Sequence, residues 1–141
     1  MLVVDTNVLI YAVHQGSRQH ADAREWLTRA LAGPEVVGLP WTVLLGFLRI
    51  TTNPRVFPRP LTVERATEIM NTWLAHPGAT VVEPTQRHAA ILTGLLVQSG
   101  AGGNLTADAH VAALAVEHGA SVASFDRDFA RFGVPVVVPE S

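Results

Sequence analysis

The sequence predicts an α/β domain with a central parallel sheet of about five strands and helices on both faces. Two observations carry this. Short apolar runs alternate with helical patterns along the whole chain. Hydrophobic residues make up 48% of the chain and charged residues only 16%, the balance of a sheet covered on both sides, whose strands read as unbroken apolar runs. At 141 residues one core accounts for the chain, and residues 1–141 are read as a single domain.

The strand-like runs are Leu2–Val4, 36–39, 80–82, 121–125 and 136–138. Between them, Ser17 is placed as the N-cap of a helix through Ala32, with Ala23, Trp26, Leu27, Ala30 and Leu31 on one stripe. Residues 41–51 read as a short buried helix stopped before Asn53 and Pro54. Thr62 opens a helix that ends at Pro77 and Gly78, Thr85 one that ends at Gly100, and Thr106 one that stops at Gly119. The apolar residues within 61–73 suffice for a dimer face, and the same stripe would serve the core. Two connections stand out. NPRVFPRP over 53–60 carries three prolines and two arginines and is expected to be stiff and exposed; GAGGN over 100–104 is expected to be flexible. No internal repeat divides the chain.

Net charge is −2, so no global basic field holds a polyanion. All ten positive residues are arginine, which removes mechanisms that need a catalytic or phosphate-binding lysine. No run is long and apolar enough to span a bilayer. The first thirteen residues are interrupted by Asp5 and Asn7 and lack a basic leader, unlike a secretion signal. The lack of cysteine fits a reducing, cytoplasmic compartment.

Asp5 follows the first strand, Asp126 follows the fourth, and Asp108 lies in the first turn of the helix opened by Thr106. In a doubly wound sheet the carboxyl edge of the strands is where ligands bind. Carboxylates converging there repel one another unless a cation lies between them. Mg²⁺ or Mn²⁺ suits an all-oxygen set that leaves room for water and phosphate, and such a site hydrolyses phosphodiesters. Each aspartate also has a plainer use: Asp5 in an Asx turn, Asp108 as a helix-dipole partner, Asp126 or Asp128 as an N-cap. The histidines, His14 with His20 and His110 with His118, lack zinc spacing and are read as surface or core residues. GAGGN lacks the lysine of a phosphate loop.

At these residues the sequence resembles a known family. VVDTNVLIYA, NLTADAHVAALAVEHGA and SFDRDFARF resemble the PIN domain, and more narrowly the VapC toxins of bacterial toxin–antitoxin pairs. LLGFLRITTNPRVF resembles a branch of these toxins common in mycobacteria and their relatives. The resemblance spans essentially the whole chain. It implies a PIN-like five-stranded parallel sheet and Mg²⁺- or Mn²⁺-dependent cleavage of RNA. Asp5 then matches the first acid and Asp108 the third, the usual metal ligands; Asp126 matches the fourth, and Asn7 a polar position that orients the first acid. The resemblance also implies a homodimer and a cognate VapB-type antitoxin whose C-terminal segment occludes the acids.

One departure matters. The family places a further glutamate on the helix after the second strand, where this chain reads WTVLLGFLR over 41–49 with no acid. Glu35 lies at the wrong end of that strand. Asp128 is the candidate substitute, and one metal at Asp5 and Asp108 is expected rather than two. Arg49 is read either as a phosphate contact or as a structural ion-pair partner. The competing function is a PIN-like module that binds RNA or antitoxin and cleaves weakly or not at all. A haloacid-dehalogenase-type phosphatase would need an acid where Asn7 stands, and it and a receiver domain would each need a lysine. Arg55, Arg59, Arg127 and Arg131 are the loop arginines placed to meet single-stranded RNA.

Overall fold

In the computed structural model, which describes residues 1–100 and 102–140, five parallel strands form one sheet. They are β1 (Leu2–Val4), β2 (Val37–Pro40), β3 (Ala79–Val82), β4 (Ser121–Ala123) and β5 (Val136–Val137), in the order β3-β2-β1-β4-β5. β1 pairs on one side with β2, Leu2 opposite Val37, and on the other with β4, Leu2 opposite Ser121. The chain therefore steps outward from β1 to β3 and then returns to the far side of β1. That reversal puts the crossover helices on opposite faces and opens a crevice at the carboxyl ends of β1 and β4.

Six helices cover the sheet: α1 (Thr6–Val13), α2 (His20–Ala32), α3 (Trp41–Thr51), α4 (Val63–Ala75), α5 (His88–Ser99) and α6 (Thr106–Glu117). α1 packs on α2 and α3, and α3 on α4, while α5 pairs with α6. The core between them is anchored by Phe47, Phe129, Leu9, Leu39, Leu44 and Leu114, all fully buried. In α4, Ala66 and Met70 are buried, and Leu61, Ile69 and Trp73 pack against the core, so that stripe faces inward.

Several boundaries differ from the sequence reading. α1 was not expected; its run TNVLIYAV is apolar nearly all round and carries no helical period, because Val8, Leu9, Ile10 and Ala12 are all buried. Ser17 does not cap α2. It takes the Gln19 N–H at 3.1 Å, closing a turn one step earlier, and α2 starts without a side-chain cap. Thr85 likewise closes a turn onto the Arg87 N–H, and α5 begins at His88. Thr106 is the first residue of α6 rather than its cap, because a 3₁₀ turn over Gly103–Leu105 leads into it. β4 stops at Ala123, two residues early. Thr62 does cap α4, accepting from the Arg65 N–H at 3.1 Å. Gly100 and Gly119 end α5 and α6 at φ +65° and +62°, a conformation that favours glycine. Of the GAGGN connection, Ala101 lies outside the described residues.

α5 is clamped to α6 by a polar chain. The Glu117 side chain has no exposed surface. Its Oε1 accepts from the Thr85 N–H and hydroxyl, both at 2.8 Å, and its Oε2 lies 2.5 Å from His88 Nδ1. His88 Nε2 in turn lies 2.9 Å from His110 Nδ1. Burial alone would raise the Glu117 pKa, but the bonds from His88 and Thr85 outweigh it and hold the group ionised. Removing the charged member of a buried hydrogen-bonded cluster leaves its partners unsatisfied, so Glu117→Ala should lower unfolding free energy by about 2–3 kcal/mol. Urea denaturation measures this; a loss under about 1 kcal/mol, the value of an exposed pair, would mean that the cluster is hydrated in solution.

Candidate active site

Asp5 stands at the join of β1 and α1. Its N–H continues the ladder to the Ala123 carbonyl at 2.9 Å, and its extended backbone caps α1, with Oδ1 accepting from the Thr6 N–H at 2.7 Å. No loop separates strand from helix, so the carboxylate is fixed at the crevice. It is buried, 8% exposed. Burial pushes its pKa up; bonds from Ser124 and Thr6 lower it, and the charge of Asp126 raises it further.

Ser124, fully buried just past β4, organises the site. Its hydroxyl donates to Asp5 Oδ2 at 2.7 Å and accepts from Asn7 Nδ2 at 3.2 Å and from the Asp126 N–H at 2.9 Å. Asn7 Oδ1 also accepts from the Phe125 N–H at 3.3 Å. Asn7 therefore orients Asp5 through Ser124, rather than by touching it. The sequence reading passed over Ser124; the signal was a serine between two predicted site acids and a strand end.

Asp126 is both a cap and part of the cavity wall. Its Oδ1 caps the 3₁₀ turn Arg127–Phe132 through the Asp128 N–H at 2.9 Å, and the residue lines the same cavity as Asp5 and Asp108. Asp108 reaches that cavity from the first turn of α6, a helix that runs back toward the opposite edge of the sheet. Its pKa rises from 3.8 to about 6, first through burial, then through the charges of Asp5 and Asp126, with Arg131 pulling the other way. Three carboxylates from three separate segments thus share a cavity of about 340 Å³.

The opposite wall is α3, which contributes Thr42, Val43, Gly46 and Arg49. This is the acid-free stretch. Gly46 faces α1 closely: a Cβ there would lie 3.2 Å from Thr6 Cγ2. Glu35 pairs instead with the N-terminal amine of Met1 at 3.4 Å, at the far end of β2. Asp128 does not line the cavity. Its side chain is 74% exposed and faces Arg131 at 3.8 Å, so the structure does not bring it in as a substitute for the missing acid.

The donor set fits a hard divalent cation: all oxygen, multiply charged, and close enough for the charges to perturb one another. Among the described residues, no three acidic or histidine side chains close into a ready-made cage.

A PIN-domain family model matches residues 2–135. The chain is 51% identical over 132 residues to the ribonuclease VapC37 of Mycobacterium tuberculosis, an alignment covering 94% of this chain and 92% of that protein. It is 45% identical to the ribonuclease VapC43 of the same organism, with 94% and 90% covered. The fold is similar to that of M. tuberculosis VapC20, a Sarcin-Ricin loop cleaving toxin, at a TM-score of 0.73 and 21% identity, covering 99% of this chain and 100% of that one. The family match and these identities lead to one assignment: the chain belongs to the PIN-domain family, in its VapC branch.

Proposed function

We propose that this chain is a metal-dependent endoribonuclease, the toxin of a toxin–antitoxin pair restrained by a VapB-type antitoxin. The observation that carries the reading is the meeting of Asp5, Asp108 and Asp126 in one cavity at the reversal point of the sheet. The names of its relatives, ribonucleases at 51% and 45% identity, support RNA as substrate. Toxin–antitoxin complexes among the structures with this fold, such as VapBC2 from Rickettsia felis, support an antitoxin partner. The resemblance implies a homodimer, and α5, with Val97 77% exposed, offers apolar surface for one.

Asp5 and Asp108 would hold Mg²⁺ or Mn²⁺. When bound, the ion supplies Lewis acidity toward the phosphate and a water of lowered pKa. The protein's own part is positional. Ser124 and the Thr6 N–H fix both oxygens of Asp5, so the ligand needs no reorganisation to bind. Asp126 has one oxygen held by the Asp128 amide, and the other has no protein partner among the described residues and can accept a proton from water. With α3 acid-free, one ion at Asp5 and Asp108 is the stoichiometry we infer.

The acid-free stretch of α3 favours a second reading, a module that grips RNA or antitoxin without cutting. Cleavage decides between them. Purified protein should cut single-stranded RNA with Mg²⁺ or Mn²⁺, and EDTA or Asp5→Asn should each reduce the rate by about 100-fold or more. Cutting that survives both treatments sinks the metal mechanism; tight RNA binding with no cutting selects the second reading.

Ser124→Ala leaves the three acids in place but removes the hydroxyl that orients Asp5, so Mn²⁺ affinity should fall about 10- to 100-fold. Calorimetric titration checks this, and an unchanged affinity would remove Ser124 from the site.

Asp108 gives a pH signature. Its folded pKa of about 6 exceeds the unfolded 3.8, so between these values the folded state holds a proton that the unfolded state has released. Stability from this group is present at low pH and is lost as pH rises through the window. In EDTA, Asp108→Asn should therefore raise Tm at neutral pH and lose that gain near about pH 4. Melts showing equal gains at both pH values would attribute the effect to packing rather than charge.

A further inference from the structure

We propose that RNA leaves the acidic cavity along α3 and the connection after it, its phosphates held by Arg49, Arg55 and Arg59. The inference rests on the nuclease reading above and adds the path of the substrate.

The first observation is charge segregation. From residue 36 through residue 63 the chain has no aspartate or glutamate, and its charged side chains are Arg49, Arg55 and Arg59. All twelve acids lie outside this stretch of a chain whose net charge is −2. A polyanion brought to three carboxylates needs cations beside the site, because the molecule as a whole supplies no attracting field.

The second is availability. Arg49 is exposed on the cavity wall, and Arg55 and Arg59 are exposed beyond it. None of the three has an ion-pair or hydrogen-bond partner for its guanidinium among the described residues. Elsewhere Arg87 bonds the Glu117 carbonyl, Arg65 pairs with Glu68, and Arg131 faces Asp128. Guanidinium matches phosphate by its forked donors.

The third is position and stiffness. α1 and α3 run together from the carboxyl edge, and Ile10 and Ile50 both line the cavity. One turn further, His14 packs edge-on against Phe57, ring centroids 4.6 Å apart. His14, against which Phe57 packs, therefore lies roughly 13 Å along α1 from Asp5, within the span of a few nucleotides. It is held in shape. Asn53 Oδ1 accepts from the Arg55 N–H at 2.9 Å, the Asn53 carbonyl accepts from the Val56 and Phe57 N–H groups at 3.0 Å, and the Leu61 N–H reaches the Thr51 carbonyl at 2.9 Å. With Pro54, Pro58 and Pro60 adding rigidity, little backbone freedom is lost when the arginines engage a strand.

The test uses the full chain with Asp5→Asn to prevent cutting, and a short fluorescent single-stranded RNA followed by anisotropy over a range of salt. Adding Arg55→Gln and Arg59→Gln should weaken binding roughly 10-fold and flatten the salt slope by about 1.4, two phosphates at ~0.7 each. Arg29→Gln with Arg87→Gln, the same charge change beside Glu35 and Glu117 and outside both the acidic cavity and the connection, should alter neither. In the cutting-competent chain Arg49→Gln should lower kcat/KM, with partial rescue by Arg49→Lys. Parent-like affinity and slope in the Arg55/Arg59 variant would overturn the path and assign these arginines to a protein partner. If the parent neither binds nor cuts RNA, the nuclease reading fails and the path with it; if parent and variant bind and cut alike, the path alone fails.

Discussion

The site depends on one buried hydroxyl. Ser124 joins the end of β4 to the end of β1 by bonding Asp5, Asn7 and the Asp126 amide at once. Those residues come from opposite ends of the chain, and the parallel pairing of β1 with β4 brings them together. A buried carboxylate without donors is expensive; here the Thr6 N–H and the Ser124 hydroxyl supply them. The strand pairing and the acid cluster are thus one construction. A change in β1–β4 register would misalign the sheet and disperse the carboxylates together.

Much of this was legible in the sequence, for physical reasons that also mark where legibility ends. Five strands were readable because parallel strands buried on both faces are written as bare apolar runs, and all five lie where expected. Asp5 and Asp126 were readable because an acid after such a run falls at the edge where ligands bind. α1 was not, because a helix enclosed by α2, α3 and the sheet has no polar face to give it a period. Nor was the buried role of Glu117, since an acid near a helix end reads as solvated until a neighbouring helix covers it. Ser17 was placed as a cap and Thr85 as a helix opening; both close turns just before their helices, a difference of a few residues that composition does not encode, while Thr106 does begin α6. Ser124 shows the general limit. A residue that works by bonding three others is visible only once those three are in place.

The acid-free stretch changes how the cavity is understood. With Gly46 and Arg49 on the wall opposite the aspartates, the cavity is polarised, carboxylates on the β1, β4 and α6 side and a cation on the α3 side. A site with acid on every wall would favour ions; the proposed function uses this asymmetry, an ion on the acid side and an anionic chain beside it. On the proposed path the same asymmetry would let a chain of net charge −2 take a polyanion: the attraction is local, and distant acids are screened over about 10 Å of salt solution.

The raised pKa of Asp108 has a consequence for turnover. Each negative charge in the cavity is held against the repulsion of its neighbours, so any cationic group that docks there, ion or guanidinium, relieves that repulsion and slows opening of the fold. Occupancy of one cavity then sets both working state and lifetime, and a chain with that cavity empty is the form most open to proteolysis.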